Sequence, residues 1–169
     1  MNHPILLATA MVLAMTLPGL AQDSTTFTPT DETILQQCIE TVRDINAEAA
    51  PGEEQEAATC IGQAANACQS DPGGSSTIGI TQCNQREASW WDGYLNDSYA
   101  DLQANLDPTA FASLKKAQRA WIAFRDADCS FQYARWGDGS MRNIAHSSCM
   151  LQQTAQRALS LSALLQEGY

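Results

Sequence analysis

The sequence predicts an all-α bundle of about five helices pinned by disulfides, and three observations carry that prediction. Apolar residues recur at three- and four-residue steps through most of the chain. No segment alternates at period two over a useful length, which leaves no substantial sheet. Six cysteines follow a leader that reads as an export signal, and in an oxidising compartment cysteines serve as staples more than as ligands or nucleophiles.

The leader covers residues 1–21. Ile5 to Leu17 is an apolar run interrupted by small residues and by Thr9 and Thr16, too short to span a bilayer as a stable helix. Pro18-Gly19 breaks it, and Gly19-Leu20-Ala21 supplies small residues at the two positions a signal peptidase reads, so cleavage is expected after Ala21. The start of the leader has no Lys or Arg, only His3 and the amino terminus. No later stretch is long and apolar enough for a membrane helix, and Gln22, not a lipidation cysteine, follows Ala21. The expected product is a soluble secreted or periplasmic protein whose remaining length fits one domain.

The chain holds 19 acidic and 9 basic residues, a formal charge of −10. The charges are lopsided: before Pro108, fifteen acids face only Arg43 and Arg86, and after it four acids face seven bases. An acidic surface repels phosphates, which argues against a nucleic-acid partner, and it favours basic proteins by steering encounter. The same charge also serves an exported protein simply by keeping it soluble.

Residues 22–29 are polar, lack a hydrophobic period and are expected to be a disordered lead, after which Thr30-Asp31 caps a first helix. Ile34, Cys38, Val42, Ile45 and Ala49 form its apolar face, and Pro51-Gly52 ends it. Glu53, Glu54 and Glu56 crowd the start of a second helix, where the positive end of the macrodipole favours anions. Its inner face runs through Ala57, Cys60, Ala64 and Cys68. Ser70 to Thr81 is rich in Gly, Ser and Pro and reads as a loop; its glycines do not follow a strand in a phosphate-binding spacing. A third helix is expected after Cys83, with Ala88, Trp91, Leu95, Tyr99, Leu102 and Leu106 inward and Trp90 and Tyr94 flanking.

Asp107-Pro108 is a cap and first-turn pair for the fourth helix, whose inward residues are predicted to be Phe111, Leu114, Ala117, Trp121, Phe124 and Phe131. Lys115, Lys116, Arg119 and Arg125 are left for its flanks. Gly137-Asp138-Gly139-Ser140 is a turn, and Ser140 or Asn143 starts the last helix, with Leu151, Thr154, Ala158, Leu161 and Leu165 as its seam.

Six cysteines permit fifteen pairings, and sequence alone does not choose among them. Helix geometry favours one set. Cys38 and Cys60 can meet across the first hairpin, Cys68 and Cys83 bracket the Gly/Ser loop, and Cys129 and Cys149 bracket the Gly137-to-Ser140 turn. A zinc site is disfavoured because no cysteine pair has two-residue spacing and His146 is the only histidine after the leader.

The run Leu114-Lys-Lys-Ala-Gln-Arg-Ala-Trp121-Ile-Ala-Phe-Arg-Asp-Ala-Asp-Cys129, then Gly139-Ser140, Cys149 and Thr154-Ala-Gln-Arg157, resembles the LprI-type lysozyme-inhibitor domain of secreted bacterial proteins. Cys68 and Cys83 ahead of the Tyr94-to-Leu106 helix match the start of that pattern, and the resemblance spans about Cys68 to Leu165. It implies a small helical, disulfide-bonded domain, some of whose members inhibit lysozyme. Within it Arg119, Trp121, Arg125 and Asp126 read as architecture: Trp121 and Phe124 as core, the arginines as partners of carboxylates such as Asp126, Asp128 or those on the third helix. Residues 30–67 fall outside the pattern as an added helical hairpin, expected to pack with residues 68–169 as one unit.

No reaction chemistry is assembled by these residues. His146 stands beside Ser147 and Ser148, but adjacent helical residues point apart and cannot pair a nucleophile with a base. Asp126 and Asp128 likewise diverge, a poor carboxylate pair for glycoside hydrolysis. The expectation is a binding protein with no catalytic residues, cofactor or metal, whose leading partner is a basic protein such as a lysozyme. The candidate contacts are Asp92, Asp97 and Asp101 of the third helix, of which Asp97 and Asp101 are an i,i+4 like-charge pair, together with Trp136 and Asp138 of the turn. The competing expectation is a structural or stress-related envelope module that binds a cell-wall component or a protein through the hairpin.

Overall fold

A computed structural model describes residues 25–166, so the leader and its cleavage point lie outside the described residues. Within that range are five α-helices and no strand: α1 (Pro29–Glu48), α2 (Gln63–Gln69), α3 (Thr77–Asn105), α4 (Pro108–Trp136) and α5 (Met141–Gln166), with a 3₁₀ turn at Ala57–Cys60 before α2. None of these helices is long and apolar enough to cross a membrane.

α3 and α5 form the central pair, with α1, the 3₁₀ turn and α2 on one side and α4 on the other. Small residues let the central helices approach: Ala155 and Ala158 of α5 are fully buried against a face of α3 that includes Trp91, Leu95 and Leu102. The apolar cluster is continuous from Leu35, Ile39 and Val42 of α1 through Ala64 and Ala65 of α2 to Leu151 and Leu161 of α5. The S–S bonds join Cys38 to Cys60, Cys68 to Cys83 and Cys129 to Cys149, each linking elements adjacent in the chain.

α1 is capped two residues earlier than expected, at Thr28 instead of Thr30. Its N-cap is Thr28, with Asp31 completing a capping box: Thr28 Oγ1 accepts from the Asp31 N–H, and Asp31 Oδ2 accepts from the Thr28 N–H at 2.7 Å. Pro29 at the first helical position, where no N–H is needed, fits that start. The last residues of the expected disordered lead are packed: the Phe27 N–H donates to Ser89 Oγ at 3.0 Å, and Phe27 lies against the core. The buried face of α1 is Asp31, Leu35, Ile39 and Val42, rotated by about one residue from the predicted stripe; Ile45 is 39% exposed. Asp31 sets this phase, because its inward carboxylate is part of the α1–α3 joint.

The second hairpin arm is not one helix. Glu53, Glu54 and Glu56 lie in a non-helical segment, clamped where the Asn46 side chain both donates to the Gln55 carbonyl and accepts from the Gln55 N–H. The chain then makes the 3₁₀ turn and breaks at Gly62, whose φ of +95° suits a residue without Cβ, before the short α2. Conversely α3 starts sooner than predicted. The loop stops at Ser76, whose Oγ accepts from the Gly79 N–H, so Cys83 lies inside the helix. Gly79 permits this: a Cβ there would sit 2.1 Å from the Gly73 carbonyl oxygen.

α4 differs most from the prediction. Phe111, Leu114 and Trp121 are half-buried as expected, but Ala117 is exposed and Phe124 and Phe131 are 57% and 58% exposed. Its inward line instead passes through Gln118, Trp121, Arg125, Asp128 and Cys129. The predicted stripe has the correct period but mixes two faces, and α4 has neighbours on only one of them.

Candidate functional site

Two buried polar joints fix the surface. Glu87 of α3 is fully buried and accepts from the Gly62 N–H at 2.6 Å, the Ala65 N–H at 2.7 Å and Trp91 Nε1 at 2.9 Å. α2 has no side-chain cap of its own, so a carboxylate from another helix satisfies its free amides. The other joint is Arg86, whose guanidinium reaches both oxygens of Asp31 at 2.7 to 3.0 Å and lies 3.3 Å from Thr28 Oγ1. Neither residue was singled out from sequence. Glu87 carried a usable signal: it is a charge in phase with Trp91 and Leu95, where a helix facing a core has only apolar places to spare.

On the other side, Arg157 Nε donates to Gln118 Oε1 at 2.9 Å, and burial pulls the Arg157 pKa below its ordinary value. Asn84 and Ser147, both buried, are 3.1 Å apart and set the register of α3 on α5. Of the motif residues, Arg125 lies over the Trp121 ring at 5.0 Å and pairs with Asp126 at 2.8 Å, while Asp126 and Arg119 face solvent. Asp128 accepts from Gln153 Nε2 at 3.3 Å. It also lies beside the Cys129–Cys149 bridge, whose bonded sulfurs offer no thiolate to a metal. His146 packs against Tyr133 with ring centres 4.8 Å apart; burial lowers its pKa, partly offset by the charge of Asp126.

The five candidate contact residues fall at three separate places. Asp97 lines a groove of about 350 Å³ between α1 and α3 together with Glu32, Glu40, Arg43, Trp90 and Tyr94. Trp90 and Tyr94 stack there with an interplanar angle of 7°. Asp101, one turn on, is exposed on the same flank. Asp92 points the other way, into the groove between α3 and α4 that also holds Lys115, Arg119 and Arg125. Trp136 and Asp138 stand at the α4–α5 turn, where Trp136 is 41% exposed under the Arg135 guanidinium and Asp138 pairs with Arg142 at 3.1 Å. The Asn84–Ser147 register puts that turn near the start of α3, whereas Asp97 and Asp101 lie towards its far end.

Fold and surface together define an all-α, disulfide-bonded domain whose polar interior is structural and whose notable features are exposed faces, grooves and a turn. The family model of the lysozyme inhibitor LprI matches residues 68–161, and the chain belongs to that family. It is 29% identical over 125 residues to an uncharacterized protein of Rhizobium meliloti (strain 1021), covering 64% of this chain and 90% of the relative. It is 25% identical over 134 residues to an uncharacterized 17.7 kDa protein in the puhA 5′ region of Rhodobacter capsulatus, covering 71% of this chain and 82% of that one. No solved structure matches.

Proposed function

We propose that this protein is an exported inhibitor of a basic lysozyme that works by occluding the enzyme's cleft and performs no chemistry itself. Membership of the LprI family carries the reading. A lysozyme cuts its substrate with two carboxyl groups in a cleft, so a rigid body that fills the cleft suffices. In this reading Glu32, Glu40, Asp97 and Asp101 on the α1–α3 side steer a cationic enzyme, and the exposed turn bearing Trp136 and Asp138 supplies the anchor. Asp92 has the smaller part, since Lys115, Arg119 and Arg125 share its groove.

The test is lysis of bacterial cell walls by a purified basic lysozyme with and without this protein, at low and high salt. Inhibition that weakens with salt supports the reading; failure to inhibit or bind any lysozyme class overturns it. A second reading, an envelope module acting through the hairpin, draws on the groove of about 660 Å³ between α1, the 3₁₀ turn and α5, lined by Ile39, Val42, Ala57 and Leu159. Binding of a cell-wall component there, with no effect on lysozyme, favours it.

A further inference from the structure

Among the described residues α4 packs mainly against α5, and its uncovered side carries an apolar row. Ala117, Ala120, Phe124, Ala127, Phe131 and Ala134 are all exposed and follow one another at steps of three, four, three, four and three. That is the 3.5-residue repeat of a helix-to-helix seam, about 26 Å long at the rise of an α-helix. A helix covered only by water has no need of two phenylalanines in such a row.

We propose that this face is a self-association surface on which two copies pack α4 against α4, antiparallel, about a two-fold axis. Size complementarity favours the antiparallel arrangement. Centred between Arg125 and Asp126, it sets Phe124 opposite Ala127 of the second copy, Phe131 opposite Ala120, and Ala117 opposite Ala134, so every large residue meets a small one. A parallel pair would set phenylalanine on phenylalanine and alanine on alanine, alternating crowding with voids.

Charge points the same way. From Pro108 to Phe124 the helix carries Lys115, Lys116 and Arg119 and no acid. At the other end, the turn after α4 carries the fully exposed Asp138. Antiparallel packing brings Lys116, at the edge of the seam, towards the turn of the second copy that bears Asp138, whereas parallel packing sets Lys116 beside Lys116. The same cationic half disfavours a basic enzyme as the occupant, so the second copy is the partner the face fits.

The experiment is sedimentation equilibrium of the purified protein across the micromolar range, repeated for Phe124→Glu and Phe131→Glu. Both side chains are exposed, so the variants should keep the wild-type helical circular dichroism. The expected result is a wild-type dimer whose dissociation constant rises by about 30-fold or more in each variant. A zero-length carbodiimide cross-link on a mixture of isotope-labelled and unlabelled protein should join Lys116 of one copy to Asp138 of the other. A monomer at every concentration, a dimer indifferent to both substitutions, or cross-links confined to single copies would each overturn the proposal. So would a monomer whose lysozyme inhibition is abolished by Phe124→Glu, since another protein would then cover the face.

Discussion

The Arg86 guanidinium and the Asp31 carboxylate meet at 2.7 Å although 55 positions separate them in the chain. Arg86 lies inside the family match and Asp31 ahead of it, so this pair bolts the N-terminal extension onto the helical core that the family match covers. Asp31 also completes the α1 capping box, so one carboxylate starts the helix and anchors it.

Arg86→Ala should leave Asp31 buried without its cation. The expected loss is about 3 kcal/mol in urea unfolding, because breaking a buried pair abandons a charge whose desolvation is no longer repaid. The double variant with Asp31→Ala should cost less than the sum of the single changes.

Glu87→Gln keeps the shape of the side chain but replaces one accepting oxygen with an NH₂ that faces a donor. A loss of about 2 kcal/mol is expected, with faster amide exchange at Gly62 and Ala65 than at the centre of α5. Equal protection in variant and wild type would show that α2 does not depend on this carboxylate.

Replacing both Cys129 and Cys149 by Ala opens a loop with a sequence separation of 20 and should lower stability by about 3 kcal/mol, chiefly through the unfolded chain. Peptide mapping without reductant should recover Cys38 with Cys60, Cys68 with Cys83, and Cys129 with Cys149.

Burial lowers the His146 pKa from 6.5, so on acidification the unfolded chain takes up this proton before the folded one. The stability that neutral His146 contributes is full above the unfolded pKa and is lost as pH falls through the folded value. Unfolding free energies should therefore drop more steeply below about pH 6.5 in the wild type than in His146→Gln.

If the proposed inhibition holds, Asp97→Lys with Asp101→Lys should slow association with a basic lysozyme about 10-fold at low salt and flatten its salt dependence. Trp136→Ala should act mainly on dissociation, raising the inhibition constant by about 30-fold. Stopped-flow association and steady-state lysis separate the two effects.

The helical class was legible because period and caps are local properties: Asp107-Pro108 does start α4, with Asp107 Oδ1 accepting from the Thr109 and Ala110 N–H groups. Phase was less legible. The α1 stripe was displaced because Asp31, a polar residue, turns inward to meet Arg86, and hydrophobic periodicity has no term for such a partner. The α2 break at Gly62 was missed because its amides are satisfied by Glu87, a residue 25 positions away. The candidate contacts shared a helix or a turn in the chain, yet Asp92 and Asp97 open onto different grooves.

By itself the sequence determined that the described chain is helical, where α4 and α5 begin, and which family motif it carries, since each rests on residues within a few turns of one another. Tertiary structure alone decided which side of each helix is covered. The phenylalanines of α4 have core-like spacing, but whether a side chain is buried depends on a neighbour being there, and the bundle places neighbours on only one face of that helix.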